Sequence, residues 1–298
     1  MPMPHKVSVV TPSYNQGRFI ERTIQSVLSQ QFNGTLEYLV MDGGSQDETV
    51  SILRRYGDCL QWVSEKDNGQ ADAVNKGFQR AHGEIVGWMN SDDIYYPGAI
   101  HAACEYFAAH PDIDVIYGNA NHIDEHDHVI EPYPTEDWDF EAMKERCYVC
   151  QPSVFFRSAA IQRFGLLDVN LRYCMDYEYW IRLAAAGARF ARIDELVAGS
   201  RLYATNKTLG SRVGVHAEIN DMMRRHLATV PDRWLFNYAH SVLDDRGVPR
   251  TDRLQFTMFV SGLSLSAALR WNHRISRPMV RTIGQWLGHA VREELRAS

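Results

Sequence analysis

Short apolar runs rich in β-branched residues alternate with helical patterns through the first hundred residues. Strands are predicted at Val7 to Val10, Leu36 to Met41, Leu60 to Ser64 and Glu84 to Met89, with an amphipathic helical pattern after each. A chain that alternates in this way folds as successive βαβ units, whose strands lie parallel. We therefore expect an α/β fold with a mixed, mostly parallel sheet and flanking helices.

Polar residues follow each of these strands at the point where it ends. They fall in four segments, Thr11 to Asn15, Asp42 to Gly44, Glu65 to Gly69 and Asn90 to Asp93. The carboxyl ends of parallel strands meet at one edge of the sheet, where open α/β proteins bind their ligands. The sequence thus predicts a ligand site built from these four loops.

Asp92 and Asp93 are two adjacent carboxylates directly after a buried strand. Their repulsion falls if they share a divalent cation, and Mg²⁺ or Mn²⁺ suits one or two carboxylates together with a substrate diphosphate. The alternative is that the pair caps the helix that we expect to begin at Pro97.

A second strand end carries Asp42-Gly-Gly-Ser45. Its carboxylate can accept a hydrogen bond from a base or a ribose, and the glycines leave room for a flat ligand. The alternative is a plain turn into a helix, since Ser45 and Glu48 have the spacing of a capping box for a helix that reaches about Tyr56. With the ring and hydroxyls of Thr11 to Asn15, these loops have the parts of a nucleotide pocket.

Several segments occur in the order typical of one enzyme family: Val7-Ser-Val-Val-Thr-Pro-Ser-Tyr-Asn15, Thr23-Ile-Gln-Ser-Val-Leu-Ser-Gln30, Met41-Asp-Gly-Gly-Ser-Gln-Asp-Glu-Thr49, Asp67-Asn-Gly-Gln-Ala-Asp-Ala-Val-Asn-Lys-Gly77, Asn90-Ser-Asp-Asp93, Cys150-Gln-Pro-Ser153 and Met175-Asp-Tyr-Glu-Tyr-Trp-Ile-Arg-Leu183. Together they resemble family 2 glycosyltransferases of GT-A fold, over roughly the first two thirds of the chain. The resemblance implies a Rossmann-like GT-A domain, an inverting mechanism and a nucleotide-sugar donor.

The resemblance also implies which residues contact the nucleotide. The first-strand segment would pack on the base, Asp42 would accept from the uracil ring nitrogen, and Ser91 would lie near the ribose. The full set of implied nucleotide contacts is Thr11, Pro12, Tyr14, Asp42, Gly69, Gln70, Ser91 and Asp92.

Asp92 matches the metal-binding Asp of the family's DxD signature, and Asp93 is a second ligand or an orienting acceptor. The implied cofactor is Mn²⁺ or Mg²⁺. Asn90 departs from the pattern, because the family often has the first Asp at this position.

Asp176 matches the family's catalytic base, although Met175 stands where the family has Glu. An inverting transfer needs one carboxylate to take the proton from the acceptor hydroxyl, and a metal can stabilise the departing diphosphate. The alternative for Asp176 is the N-cap of the helix that contains Trp180.

Arg201 to Lys207 resembles the segment that closes over the diphosphate, with Tyr203 where many relatives have His. Tyr203 offers only a hydroxyl, so Arg201 and Lys207 would supply the positive charge.

A boundary is expected near Ser211, which gives a catalytic domain of residues 1–210 and a C-terminal helical region of residues 211–298. From Arg270 onward the sequence combines six arginines with Trp271, Trp286 and other apolar residues. Such a basic amphipathic segment suits an anionic membrane surface. The alternative is a helical appendage that packs on the core or pairs with another subunit.

Net charge and cysteine content exclude other classes. A net charge of −6 argues against nucleic-acid binding. The odd number of cysteines predicts reduced thiols, and Cys147-Tyr-Val-Cys150 is interpreted as structural because no second CxxC accompanies it. The histidines and acids of His122 to His128 are interpreted as a solvated turn. Since no secretory or membrane-spanning segment is visible, we expect a cytoplasmic protein, in peripheral contact with the inner face of the membrane if the basic segment binds lipid.

The sequence as a whole predicts a metal-dependent inverting glycosyltransferase that moves a sugar, UDP-linked by preference, to a hydroxyl of a glycan or lipid-linked glycan. One alternative is a sugar nucleotidyltransferase, which usually has a Gly-rich basic loop after its first strand. The other is a noncatalytic module that binds nucleotide sugars.

Overall fold

One sheet of nine strands runs through the first of the two units into which the chain divides, Met1–Tyr203 and Ala204–Ser298. The computed structural model describes residues 5–203 and 211–297. The strands in chain order are β1 (His5–Ser13), β2 (Gly34–Asp42), β3 (Gln61–Ser64), β4 (Ile85–Trp88), β5 (Ile94–Tyr95), β6 (Val115–Ile123), β7 (Val129–Pro132), β8 (Val154–Arg157) and β9 (Phe190–Arg201).

The sheet has the order β3-β2-β1-β4-β8-β6-β9-β5, with β7 paired to β6. Strands β3, β2, β1 and β4 are parallel, and β6 is parallel to β9, whereas β8 lies antiparallel between β4 and β6. The predicted mixed, mostly parallel sheet is therefore confirmed.

Helices flank this sheet and form the second unit. In the first unit they are α1 (Ile20–Leu28), α2 (Thr49–Arg55), α3 (Gln70–Arg80), α4 (Ala99–Ala109), α5 (Phe140–Glu145), α6 (Ser158–Phe164) and α7 (Met175–Ala185). In the second unit they are α8 (Arg212–Leu227), α9 (Asp232–Asp245), α10 (Arg253–Asn272) and α11 (Arg277–Ala297).

The centre of the core is β1, where Val7, Val9 and Val10 are fully buried. Helix α3 crosses this strand at Gly77, where an added Cβ would lie 2.1 Å from Cγ1 of Val10. A side chain at position 77 would therefore push the helix off the strand. This close approach fixes the start of α3 relative to the carboxyl end of β1.

Two predicted helix starts are wrong. The predicted capping box does not form, because the hydroxyl oxygen of Ser45 accepts from the N–H of Asn15 at 2.7 Å and α2 begins only at Thr49. The same hydroxyl donates to Asp42. Pro97 does not open a helix, since β5 follows the two aspartates and α4 begins at Ala99, after Gly98 with φ of 88°. Asp92 and Asp93 are therefore not helix caps.

The second unit has its own small core, formed where α9 and α10 meet. Ala239, Leu243, Phe256 and Val260 are buried there. The segment of residues 246–252 separates these two helices. Within the described residues, no helix has the length and apolarity needed to cross a bilayer.

Candidate active site at the carboxyl ends of the strands

The loop after β1 exposes one aromatic ring. Tyr14 is 60% exposed, whereas Thr11 is fully buried and its hydroxyl lies 3.2 Å from the hydroxyl of Tyr38. Pro12 is also buried. Of the three residues predicted here, Tyr14 is thus the one that offers a free face to a planar ligand, and Thr11 and Pro12 shape the strand end behind it.

Asp42, at the end of β2, is 2% exposed and already accepts four hydrogen bonds. Its Oδ2 accepts from the backbone N–H of Gly44 (3.1 Å) and Ser45 (2.9 Å) and from the hydroxyl of Ser64 (2.6 Å), and its Oδ1 accepts from the hydroxyl of Ser45. The carboxylate therefore holds the strand-end turn together. A contact with a base would add to this set or replace one of its members.

Asp67 lies beside Asp42 and was not singled out from the sequence. A Cβ at Gly43 would stand 2.6 Å from Oδ2 of Asp67, so the glycine is needed for the close approach of this carboxylate. Its Oδ1 accepts from the N–H of Gly69, which has φ of 110°. These residues adjoin a small cavity at the mouth of β2 and β3, lined by Met41, Asp42, Val63, Glu65, Asp67, Ala73 and Lys76.

Asn90 lies at the centre of a polar network behind the two aspartates. Its Oδ1 accepts from Nε2 of Gln70 (2.9 Å) and from the indole N–H of Trp88 (3.0 Å). Its Nδ2 donates to Oδ2 of Asp93 (3.3 Å) and to Oε1 of Gln151 (2.6 Å). An aspartate at this position could make none of the donated bonds, so the departure from the family pattern has a structural role here.

We expect Asn90→Asp to lower the free energy of unfolding by about 2–4 kcal/mol. The change removes two donated hydrogen bonds, each costing about 1–3 kcal/mol when a buried acceptor is left unpaired, and adds a charge beside Asp93. Chemical denaturation measures the effect. The matched control is Asn121→Asp, because Asn121 donates one long bond of 3.4 Å to Tyr96. Equal stability of the two variants would contradict the role of Asn90.

Asp93 is 4% exposed and directed into the protein. Its Oδ1 accepts from the backbone N–H of Arg201 (2.8 Å), and its own carbonyl accepts from the hydroxyl of Thr23 (2.7 Å). Burial, together with the charge of Asp92, raises the pKa of Asp93 well above its usual range. Asp93 thus joins the loop to β9 and α1.

Asp92 is half-buried, in contrast to its neighbour. Its Oδ2 accepts a hydrogen bond of 2.8 Å from the hydroxyl of Tyr203. The hydroxyl oxygen of Tyr203 also accepts from Nε2 of Gln16 at 3.4 Å, and the ring centroid of Tyr203 is 5.0 Å from that of Phe19. The tyrosine therefore connects the predicted metal-binding carboxylate to the segment that follows β1.

Arg201 is the predicted diphosphate residue at the end of β9, and its side chain is fully buried. Its Nε donates to the carbonyl of Asp92 (2.7 Å), its Nη1 donates to the carbonyl of Asp124 (2.6 Å), and its Nη2 pairs with Asp127 at 2.5 Å. A contact with a diphosphate would require the guanidinium to leave these partners. In this conformation Arg201 instead supports the loop of Asp92 and Asp93. Lys207, the other predicted cation, lies outside the described residues.

Asp176 lies in the first turn of α7, where its Oδ1 accepts from the N–H of Tyr177 (2.8 Å). The N-cap is Cys174, which makes no capping bond through its side chain, so the alternative of Asp176 as N-cap is wrong. The negative charge of Asp176 contributes to the raised pKa of Cys147 and Cys150, after burial as the main cause.

Cys150 relates the predicted base to the predicted metal loop. Its pKa is raised by burial, then by the charge of Asp93, and further by that of Asp176. The charges of Asp93 and Asp176 therefore both act on one buried thiol, although the two residues are 83 apart in sequence. Raised pKa values keep Cys147 and Cys150 as neutral thiols, which agrees with a structural CxxC.

Asp92 and Asp93 are the oxygen donors predicted to bind a metal ion. Among the described residues, no three or more His, Cys, Asp or Glu side chains are grouped to hold one. Two adjacent carboxylates nevertheless suit Mg²⁺ or Mn²⁺, which keep waters or substrate phosphates in their remaining positions. Asp92, half-buried and oriented by Tyr203, is the accessible oxygen donor of the pair.

The sequence profile of glycosyl transferase family 2 matches residues 8–169, which contain every strand-end loop described above except that of β9. The chain belongs to this family. The prediction of a glycosyltransferase enzyme is thereby confirmed, and the two alternatives are set aside.

Relatives of the same family are similar over part of their length. An uncharacterized glycosyltransferase of Rickettsia prowazekii is 28% identical over 68% of this chain and 65% of its own length. One from Mycobacterium tuberculosis is 30% identical over 60% of this chain and 68% of its own. The chain thus matches about two thirds of the length of these curated relatives.

Solved structures of glycosyltransferases share the fold. S. aureus TarS (residues 1–349), in complex with UDP-GlcNAc, has a TM-score of 0.59 at 16% identity. The match covers 88% of this chain and 81% of the TarS chain. The mannosyltransferase PcManGT from Pyrobaculum calidifontis, in complex with GDP-Man and Mn²⁺, has a TM-score of 0.60 at 17% identity, with 99% of this chain and 83% of PcManGT covered. The fold of this family 2 glycosyltransferase is therefore of the GT-A type, as predicted.

Proposed function

We propose that this glycosyltransferase moves a sugar from a nucleotide diphosphate donor, UDP-linked by preference, to a hydroxyl of a glycan or lipid-linked glycan, with inversion at the anomeric carbon. The observation that carries the proposal is the strand-end edge of the sheet, where Asp92 is half-buried and oriented by Tyr203 and where the cavity beside Asp42 lies. The charge of Asp176 acts on Cys150, as does that of Asp93 in the same loop. A base and a donor-phosphate site at one edge of the sheet are the two parts that such a transfer needs.

Asp176 is proposed as the general base. Its carboxylate takes the proton from the acceptor hydroxyl while the acceptor oxygen bonds to the anomeric carbon and the bond to the diphosphate breaks. The N-terminus of α7 favours a charged carboxylate, because the helix dipole is positive there and the N–H of Tyr177 donates to Oδ1 of Asp176 at 2.8 Å. A group that is ionised before the reaction can act as a base without prior loss of a proton.

Asp92 is proposed to hold Mn²⁺ or Mg²⁺, with Asp93 as second ligand or as the acceptor that orients the loop. A bound cation of this kind neutralises charge on a leaving diphosphate. The contacts of Asp93 with Arg201 and Asn90 favour the orienting role, since both of its oxygens already accept hydrogen bonds. Tyr203 orients Asp92 through its hydroxyl.

Donor binding is proposed at the loops of β1, β2 and β3. Tyr14 offers its exposed ring to the base, and the cavity beside Asp42 offers carboxylates to ring or ribose donors. Gly69 and Gln70 begin α3 at this edge, and Ser91 lies buried next to Asp92. UDP-GlcNAc is the donor in the TarS structure and GDP-Man in that of PcManGT, which supports a nucleotide-sugar ligand of either base.

The proposed domains are a catalytic domain of residues 1–210 and a helical region of residues 211–298, close to the division of the chain after Tyr203. The proposed location is the cytoplasm, with peripheral contact at the inner face of the membrane. A lipid-linked acceptor would be located at that face of the membrane.

Thermal unfolding with a panel of UDP- and GDP-sugars, each with and without Mn²⁺, tests the donor site. We expect one donor to stabilise the protein by about 2.7 kcal/mol at a hundredfold excess over Kd, with most of this gain dependent on Mn²⁺. Asp92→Asn should abolish the metal-dependent part, and Asp58→Asn, a change at an exposed carboxylate, should keep it. Absence of any shift with every nucleotide would contradict the proposal.

A further inference from the structure

The last two helices expose an unusual share of the protein's apolar surface. Twelve large apolar side chains are exposed in the described residues, and seven of them lie in α10, in α11 or in the turn between: Met258, Phe259, Leu269, Ile275, Val280, Val291 and Leu295. Their exposed fractions range from 39% to 72%. Apolar surface that is gathered in one part of a chain marks an interaction site more often than scattered residues do.

Helix α11 carries two apolar stripes, of which the core uses one. Met279, Ile283 and Ala290 are buried at 0%, 7% and 4% exposure. A second stripe has the spacing i, i+4, i+7, i+11 and i+15, at the positions of Val280, Gly284, Leu287, Val291 and Leu295. This second stripe is exposed at 57%, 43% and 72% for Val280, Val291 and Leu295.

Helix α10 repeats the spacing on its exposed side. Met258, Gly262, Leu265 and Leu269 follow one another at i, i+4, i+7 and i+11, and Met258 and Leu269 are 58% and 53% exposed. Each of the two helices therefore presents an apolar stripe that its own core does not need.

The charge of this region is mostly positive, with Glu293 and Glu294 near the end of α11 as its acidic residues. Residues 253–292 contain no Asp or Glu, in a chain that has 37 of them, but contain six arginines, Arg253, Arg270, Arg274, Arg277, Arg281 and Arg292. Arg253 pairs with Glu293 at 2.6 Å. In the part of the chain that the structure describes, Arg270, Arg274, Arg277 and Arg281 are exposed and pair with no carboxylate.

We infer that α10, α11 and the turn between them form a docking surface for an anionic lipid bilayer. Exposed apolar side chains next to unpaired arginines match the boundary between acyl chains and anionic headgroups. A second copy of the chain is a poorer occupant, because the same surface would bring arginines against arginines. The inference rests on the peripheral membrane contact in the proposed function and names the surface that makes it. It does not depend on the proposed transfer, since lipid binding is measured without donor or acceptor.

Co-sedimentation of the full chain with vesicles tests the surface. Vesicles of phosphatidylcholine with phosphatidylglycerol are compared with vesicles of phosphatidylcholine alone. We expect binding to the anionic vesicles only, reduced by salt. The triple variant Arg274→Gln, Arg277→Gln, Arg281→Gln should lower the partition coefficient by about 100-fold, because each basic residue near an anionic surface contributes about fivefold.

Matched variants elsewhere separate this surface from a general effect of charge or apolarity. Arg54→Gln, Arg163→Gln and Arg189→Gln remove the same charge from exposed positions in the first unit and should bind like the unchanged protein. Val280→Ser with Val291→Ser should weaken binding, whereas Val129→Ser with Ile130→Ser, at two positions of similar exposure on β7, should not. Circular dichroism checks that every variant keeps its helices.

Three results would overturn the inference. The first is failure of the unchanged protein to bind anionic vesicles. The second is an equal loss of binding in the two arginine triples. The third is a dimer in sedimentation without lipid that Val280→Ser with Val291→Ser dissociates and the arginine triple leaves intact, which would assign the surface to a second copy. Because no donor is present in these measurements, none of these results bears on the proposed transfer.

Discussion

Replacing Asp176 with asparagine should lower kcat by about 10²–10⁴-fold and leave the affinity for the donor within about twofold. A positioned general base contributes an acceleration of this size, and an amide of the same shape cannot take the proton. Asp176 belongs to the first turn of α7 and not to the strand-end loops proposed to bind the nucleotide. Steady-state kinetics with a saturating donor, together with thermal-shift titration of the donor, measures the two effects separately.

The control for Asp176→Asn is Glu141→Gln. Glu141 also lies in the first turn of a helix, α5, and its side chain is 78% exposed. Both changes remove a favourable interaction with a helix N-terminus, worth about 0.3–1 kcal/mol, so both should lower stability slightly. The loss of turnover should be confined to Asp176→Asn. If that variant retained full kcat, the base would have to be another group.

Arg201→Met should lower the free energy of unfolding by about 3–5 kcal/mol, the largest effect on stability that we expect in this site. Arg201 is fully buried and donates from its charged guanidinium to the carbonyls of Asp92 and Asp124, and each such bond contributes about 1.5–3 kcal/mol. The variant also loses the pairing with Asp127, which keeps Arg22 as a partner at 3.0 Å. Chemical denaturation followed by circular dichroism gives the difference in stability.

Arg192→Met is the matched control, because Arg192 lies on the same strand. Its partners Asp137 and Asp194 are 87% and 89% exposed, and exposed pairs contribute about 1 kcal/mol or less. The Arg201 variant should also bind the donor more weakly, since its guanidinium supports the carbonyl of Asp92. Similar losses of stability in the two variants would show that the buried guanidinium of Arg201 contributes no more to stability than that of Arg192.

The sequence was sufficient to predict the sheet and the loops of its first four strands. Those strands follow one another along the chain, and each apolar run ends within three residues of the point where the structure ends the strand. The segment order was enough to predict the family, because several short motifs have to occur together.

The surroundings of the site could not be predicted from local patterns. The contact of Arg201 with Asp92 joins residues that are 109 apart and depends on the long strand β9, which no local pattern predicted. For the same reason Arg201 was interpreted as a cation open to a diphosphate. Ser45 illustrates the competition between local and distant bonds, since its hydroxyl oxygen accepts from the N–H of Asn15, 30 residues away, while the hydroxyl donates to the buried carboxylate of Asp42.

The polar network around Asn90 also explains how the orientations of two side-chain amides are fixed. The oxygen and nitrogen of an amide differ so little in shape that packing alone does not distinguish them. The indole of Trp88 can only donate, and it meets the oxygen of Asn90. The carbonyl of Trp88 can only accept, and it meets the nitrogen of Gln151. One tryptophan thereby gives the whole chain of bonds a single direction, which ends with an N–H of Asn90 pointing at Asp93.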